Sequence, residues 1–130
     1  MTRPLLLGLL AIVLSCAQAL PADDAVPEPT QRTDAPFRLF RTQNIFNFLK
    51  LDTRTGQVWQ LQWSAEADQR FVNAINLKSL ADGKKAGRFT LYPSSNIFTF
   101  LLLDQEDGRQ WQIQWGLDPD KRLIFQIGQQ

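Results

Sequence analysis

The residues of this chain that offer chemistry come in pairs. Four tryptophans stand at Trp59, Trp63, Trp111 and Trp115, interleaved with Gln60, Gln62, Gln112 and Gln114. Indole faces beside carboxamides are the materials of a platform for a sugar ring or a peptide, the rings giving stacking surface and the amides bonding hydroxyls or backbone. Two carboxylates, Asp52 and Asp68, return as Asp104 and Asp120. Paired acids are what a carboxylate-dependent hydrolase needs, with Asp68 and Asp120 as its candidates. The chain contains no histidine, which removes the Ser-His-Asp constellation, imidazole acid–base catalysis and histidine-rich zinc sites. The expectation is a protein that is not an enzyme and uses neither cofactor nor metal.

The pairing has one cause. Residues 37–76 recur without a gap as residues 89–128, an offset of 52, with 17 of 40 positions identical. Most of the identities are apolar or turn residues, among them Phe37/Phe89, Phe48/Phe100, Leu49/Leu101, Gly56/Gly108 and Trp63/Trp115. A duplication of that kind records a scaffold before it records a reaction.

Within each copy the apolar period is two, which predicts strands. Phe37 to Arg41 and Phe89 to Tyr92 read as a short first strand, which Pro93 breaks in the second copy. Ile45 to Asp52 and Ile97 to Asp104 read as a second strand. Both of its alternating sets are apolar, so it is expected centrally with both faces covered. Asp52 to Gly56 and Asp104 to Gly108 then close a hairpin, the glycine taking the left-handed conformation and the aspartate bonding the turn backbone. Asn44 and Asn96 precede the second strand as turn formers. The third strand puts Trp59, Leu61 and Trp63 on one face and Val58, Gln60 and Gln62 on the other. After a polar loop holding Asp68 or Asp120 comes a fourth strand, Arg70 to Ile75 and Arg122 to Ile127. The connection from Leu77 to Gly87 has room for one helical turn at Leu77–Leu80.

The predicted fold is all-β: two tandem four-stranded antiparallel meanders sharing one core as a pseudo-twofold barrel or sandwich, occupying 37–130. Burial of the Trp59/Trp63 face against the Trp111/Trp115 face would form that core, leaving the glutamine rows solvated. The alternative reading keeps the tryptophans and glutamines as a ligand platform.

The N-terminus reads as an export signal over residues 1–19: Arg3, an apolar run from Leu5 to Leu14, then Ser15-Cys16-Ala17-Gln18-Ala19, too short to span a bilayer. Cleavage after Ala19 would release a soluble chain. The alternative is that Val13-Leu14-Ser15-Cys16 resembles the lipobox of bacterial lipoproteins, which makes Cys16 a candidate for lipidation. Residues 20–36, rich in proline, read as a disordered tether. With Arg3 removed, 13 basic residues balance 13 acidic ones. A neutral total argues against nucleic acid as partner and against electrostatic capture on anionic lipid.

The string from Phe48 to Trp59 and its twin from Phe100 to Trp111 resemble hairpins of uncharacterised exported proteins of Gram-negative bacteria, a resemblance that implies no activity. The Asp-x-x-x-Gly spacing is also similar to that of quinoprotein-type β-propeller blades, of which two copies are too few for a ring. The resulting expectation is an exported binding module of the periplasm or outer membrane, attached to membrane only through a lipid and taking an envelope protein or glycan as partner. The alternatives are the hydrolase above and a lectin whose chains assemble into an oligomeric propeller.

Overall fold

A computed structural model describes residue 2 and residues 30–128. The export signal, Cys16 and most of the tether lie outside the described residues. The chain is all-β. Strands β1 (Phe37–Arg41), β2 (Asn47–Asp52), β3 (Val58–Gln62) and β4 (Phe71–Asn76) form one antiparallel sheet in sequence order. Strands β5 (Phe89–Pro93), β6 (Thr99–Asp104), β7 (Gln110–Gln114) and β8 (Leu123–Ile127) form a second sheet of the same order. The registers match at the offset of 52: Leu49 pairs with Gln60 as Leu101 pairs with Gln112. Pro93 ends β5 instead of breaking it, opposite Phe100, a strand-end position that tolerates a missing N–H donor.

The hairpin turns are built as their residue types require. Gly56 and Gly108 have φ of +77° and +81°, and the Asp52 and Asp104 carboxylates accept from the N–H groups of Arg54 and Glu106 at 2.9 and 3.0 Å. Asn44 and Asn96 each accept, through the side-chain oxygen, the N–H two residues on, at 2.9 Å. The second strand starts two residues later than the apolar run, because Ile45–Phe46 and Ile97–Phe98 belong to that turn. Leu77–Leu80 is not helical. The Asn76 side chain instead donates to the carbonyls of Gly56 and Lys78 and accepts from the Lys78 N–H, spending locally the backbone groups a helical turn would use. Single turns of 3-10 helix form at Ala67–Gln69 and Pro119–Lys121.

The sheets pack into one core, but not with the faces expected. The first sheet contributes Leu49, Leu51 and Val58; the second contributes Phe89, Leu91, Phe100, Leu102, Trp111, Ile113 and Trp115. At offset 52 these sets are opposite faces of the repeat. Leu49 and Leu51 correspond to Leu101 and Leu103 on the outer side of the second sheet; Phe100 and Trp111 correspond to Phe48 and Trp59 on the outer side of the first. A twofold relation would bury like against like, whereas here the back of one unit covers the front of the next. The Trp59/Trp63 face therefore does not meet the Trp111/Trp115 face. Among the described residues no hydrogen-bonded closure joins the sheets into a barrel.

Polar groups sew the stack together. Gln60, expected in solvent, is wholly buried: its Oε1 accepts from the Gly116 N–H (3.2 Å) and Arg122 Nε (3.0 Å), and its Nε2 donates to Asn47 Oδ1 (2.8 Å). Burial is tolerated because each polar atom has a partner. At the turn end, Thr53 accepts the Phe89 N–H through its carbonyl and the Gly87 N–H through its hydroxyl, both at 2.9 Å. Asp104, fully buried, is clamped by Arg88 (2.9 Å) and Arg109 (3.0 Å). Burial by itself would raise this carboxyl. The bonds from Arg88, the Glu106 N–H, Arg109 and the Asp107 N–H outweigh it and hold the group well below the usual carboxylate range.

Candidate functional site on the open face of the first sheet

Stacking back against front leaves each sheet with one uncovered face. On the first sheet it carries Phe37 and Leu39 from β1, Phe48 and Lys50 from β2, and Trp59 and Leu61 from β3, extended past the strand end by Trp63. Period two brings these residues to one side, and the registers Leu39 to Lys50, Lys50 to Trp59 and Phe48 to Leu61 set them abreast. Phe37, Leu39 and Trp63 are 50%, 43% and 47% exposed. Their counterparts Phe89, Leu91 and Trp115 are all buried.

The face is held rigidly although it is open. Trp63 donates its indole N–H to the Ile45 carbonyl (2.8 Å) and packs on Phe46 with ring centroids 5.1 Å apart. The Lys50 ammonium lies 4.8 Å from the Trp59 ring and 5.9 Å from Phe37; such contacts keep a cation on an aromatic surface without burying it. A groove of about 410 Å³ runs over Phe37, Leu39, Phe48, Lys50 and Leu61. The surface offers broad apolar area with cations along it, suited to covering by another apolar surface.

The eight residues named as a platform do not form one site. Trp63 is exposed and Trp59 half-buried on the uncovered face, while Trp111 and Trp115 are sealed between the sheets and cannot meet a ligand there. Burial of the second sheet's front by the first sheet's back is the reason. Gln60 is internal, and Gln62 donates to the Gln69 carbonyl (2.9 Å). Gln112 and Gln114 lie half-buried on the outer side of the second sheet or at its end. The glutamines thus share no face with the tryptophans. Asp68 and Asp120 are exposed on separate 3-10 turns, one beside each sheet. Among the described residues no cluster of acids or cysteine is arranged to hold a metal ion, and no helix is long and apolar enough to cross a membrane.

Sequence reasoning missed Phe37, Leu39, Phe48 and Lys50 as surface residues. The second strand was expected to have both faces covered, but in β2 only the Leu49/Leu51 side is, because the second sheet packs on that side alone and leaves Phe48 and Lys50 half-buried. Compared with protein-family models, curated proteins and solved structures, the chain matches none.

Proposed function

We propose that this protein is an exported, non-enzymatic binding module of the bacterial envelope that engages a macromolecular partner through the open face of its first sheet. The observation carrying this reading is the row Phe37, Leu39 and Trp63, exposed on a sheet whose duplicate buries the same three positions. Large apolar side chains left exposed over one sheet face mark interaction sites. A protein partner is favoured over a glycan: Phe37, Leu39, Phe48 and Leu61 give the groove an apolar floor, and the Trp63 N–H is already bonded to Ile45. Export rests on residues 1–19, and attachment to the outer membrane on Cys16 if lipidated.

The test is a photoreactive amino acid placed at Leu39 in the cell, with Lys84 in the exposed connection as control. An adduct of defined mass at Leu39 and none at Lys84 supports the reading. Equal labelling at both positions, or none at Leu39, overturns it. Turnover of an envelope polymer that disappears in Asp68→Asn or Asp120→Asn would replace it with the hydrolase reading.

A further inference from the structure

The second sheet also has an uncovered face, and the chain already contains a template for what covers it. Inside the molecule the back of the first unit (Leu49, Leu51, Gln60) receives the front of the second (Phe100, Trp111, Trp115). The free back of the second unit repeats the same residues as Leu101, Leu103 and Gln112, and Leu101, Phe125 and Ile127 are exposed on it. The free front of the first unit repeats the other side as Phe48, Trp59 and Trp63. Each open surface repeats the main residues of a surface that is buried against its complement in the same chain.

We propose that the partner of the open first-sheet face is a second copy of this chain, whose second-sheet back docks on it in the geometry of the internal stack. This rests on the reading of that face as a binding surface and names its occupant. The internal contacts give the intermolecular ones by shifting 52 positions. Gln60 Oε1 accepts from the Gly116 N–H and Arg122 Nε, so Gln112 of one copy meets the Ser64 N–H and Arg70 of the next. Arg70 is already posed for this: its Nε donates to the Ser64 carbonyl at 2.7 Å, as Arg122 Nε does to Gly116 at 3.2 Å. The Thr53 carbonyl accepts the Phe89 N–H, so the Gln105 carbonyl meets the Phe37 N–H of the next copy. An unlike-face contact of this kind propagates and closes into a ring where its rotation allows. Four-stranded units close in rings of about four to eight, which is two to four chains.

Two positions weaken the intermolecular contact relative to the internal one: Lys50, and Gln110 where the first unit's back has the buried Val58. Lys50 stands where the second unit has the fully buried Leu102, and covering a cation costs free energy even when its stem packs. Assembly is therefore reversible and concentration-dependent, and Lys50→Leu strengthens it.

Sedimentation velocity and light scattering on the mature protein over a wide concentration series test this, with four variants. Wild type is expected to shift with concentration from one chain to a multiple of about two to four. Lys50→Leu moves that shift to lower concentration, and Gln112→Ala to about tenfold higher, the worth of a hydrogen bond or two. Leu39→Asp disables only the front and Leu101→Asp only the back. Each alone stays a monomer, and a mixture of the two gives one-to-one heterodimers through the surfaces left intact. Both positions are exposed, so cooperative unfolding in each variant verifies the fold; should either misfold, Lys50→Leu and Gln112→Ala carry the test. A monomer throughout, including Lys50→Leu, overturns the proposal. So does self-association by Leu39→Asp or Leu101→Asp, which would mean a like-on-like contact. If the chain is monomeric while the photoreactive Leu39 position captures a different protein, self-docking falls and the binding-module reading stands. An adduct joining Leu39 to a second copy of the chain supports both, and a monomeric chain whose Leu39 position captures nothing sinks both.

Discussion

Trp63 and Trp115 are the same residue of the repeat in the same local setting, and one is 47% exposed while the other is 1% exposed. Each donates its indole N–H to the carbonyl 18 residues earlier at 2.8 Å, and each tilts against a phenylalanine with centroids 5.1 or 5.0 Å apart. Nothing within the repeat separates them. The difference is the neighbouring sheet that covers Trp115 and has no counterpart over Trp63.

The two tryptophans therefore differ in what they contribute to stability. In dilute solution Trp115→Ala is expected to cost about 3–5 kcal/mol, the range for emptying a core aromatic site. Trp63→Ala should cost about 1 kcal/mol, the worth of its ring contact and hydrogen bond. Urea unfolding of both variants measures the gap. Equal losses would contradict the back-to-front stack.

Gly56 and Gly108 provide a second matched pair. Both need positive φ, so alanine costs about 1–2 kcal/mol at either. At Gly56 an added Cβ would also lie 2.9 Å from Leu80 Cδ1 and 3.1 Å from Phe89 Cε1, whereas at Gly108 it meets nothing within 4 Å. Gly56→Ala should thus lose a further 1 kcal/mol or so from overpacking. Thermal melts of the two variants side by side decide this, and a larger loss at Gly108 would sink it.

Asp104 makes the stability depend on acidity. Its carboxyl is held low in the folded state, so the unfolded chain takes up the proton first as pH falls. The stabilisation is complete above the ordinary value of 3.8 and is lost as pH falls from there toward the depressed folded value. Asp104→Asn should cost about 3 kcal/mol at neutral pH by leaving Arg88 and Arg109 without their buried counter-charge, and its stability should fall less steeply below pH 4. Parallel slopes in the two proteins would show that another group governs the acid limb.

Gln60 and Gln112 occupy equivalent positions with unequal surroundings. Gln60→Ala strands the Gly116 N–H and a bond of Arg122 inside the stack, a loss of about 1–3 kcal/mol. Gln112→Ala in the isolated chain should change stability by less than about 0.5 kcal/mol, as surface substitutions do. Denaturant titration at low protein concentration checks both, and a costly Gln112→Ala there would place that side chain in an intramolecular network.

Export predicts a mature protein without its first residues. Intact mass should show a chain beginning at Cys16 with acyl groups, or at Leu20 with none. Retention of Met1 would remove the envelope from the proposal.

Much of the fold was legible in the sequence because its signals are local. Alternation fixed the strands, Asp52 to Gly56 and Asp104 to Gly108 fixed the hairpins, and the offset of 52 fixed two like sheets. Asn44 and Asn96 were readable as turns for the same reason, each bonding an N–H two residues away. Which face each sheet buries was not legible. The repeat is apolar on both sides, as Leu49/Leu51 and Phe48/Trp59 show, so period two identifies a strand without saying which side turns inward. In a stack of unlike faces, identical residues acquire opposite fates from their place in the order: Gln60 goes inside and Gln112 outside, Trp115 is sealed and Trp63 open. Only the packing of one sheet on the next makes that assignment, because burial depends on what lies across the interface and that surface comes from a different copy of the repeat.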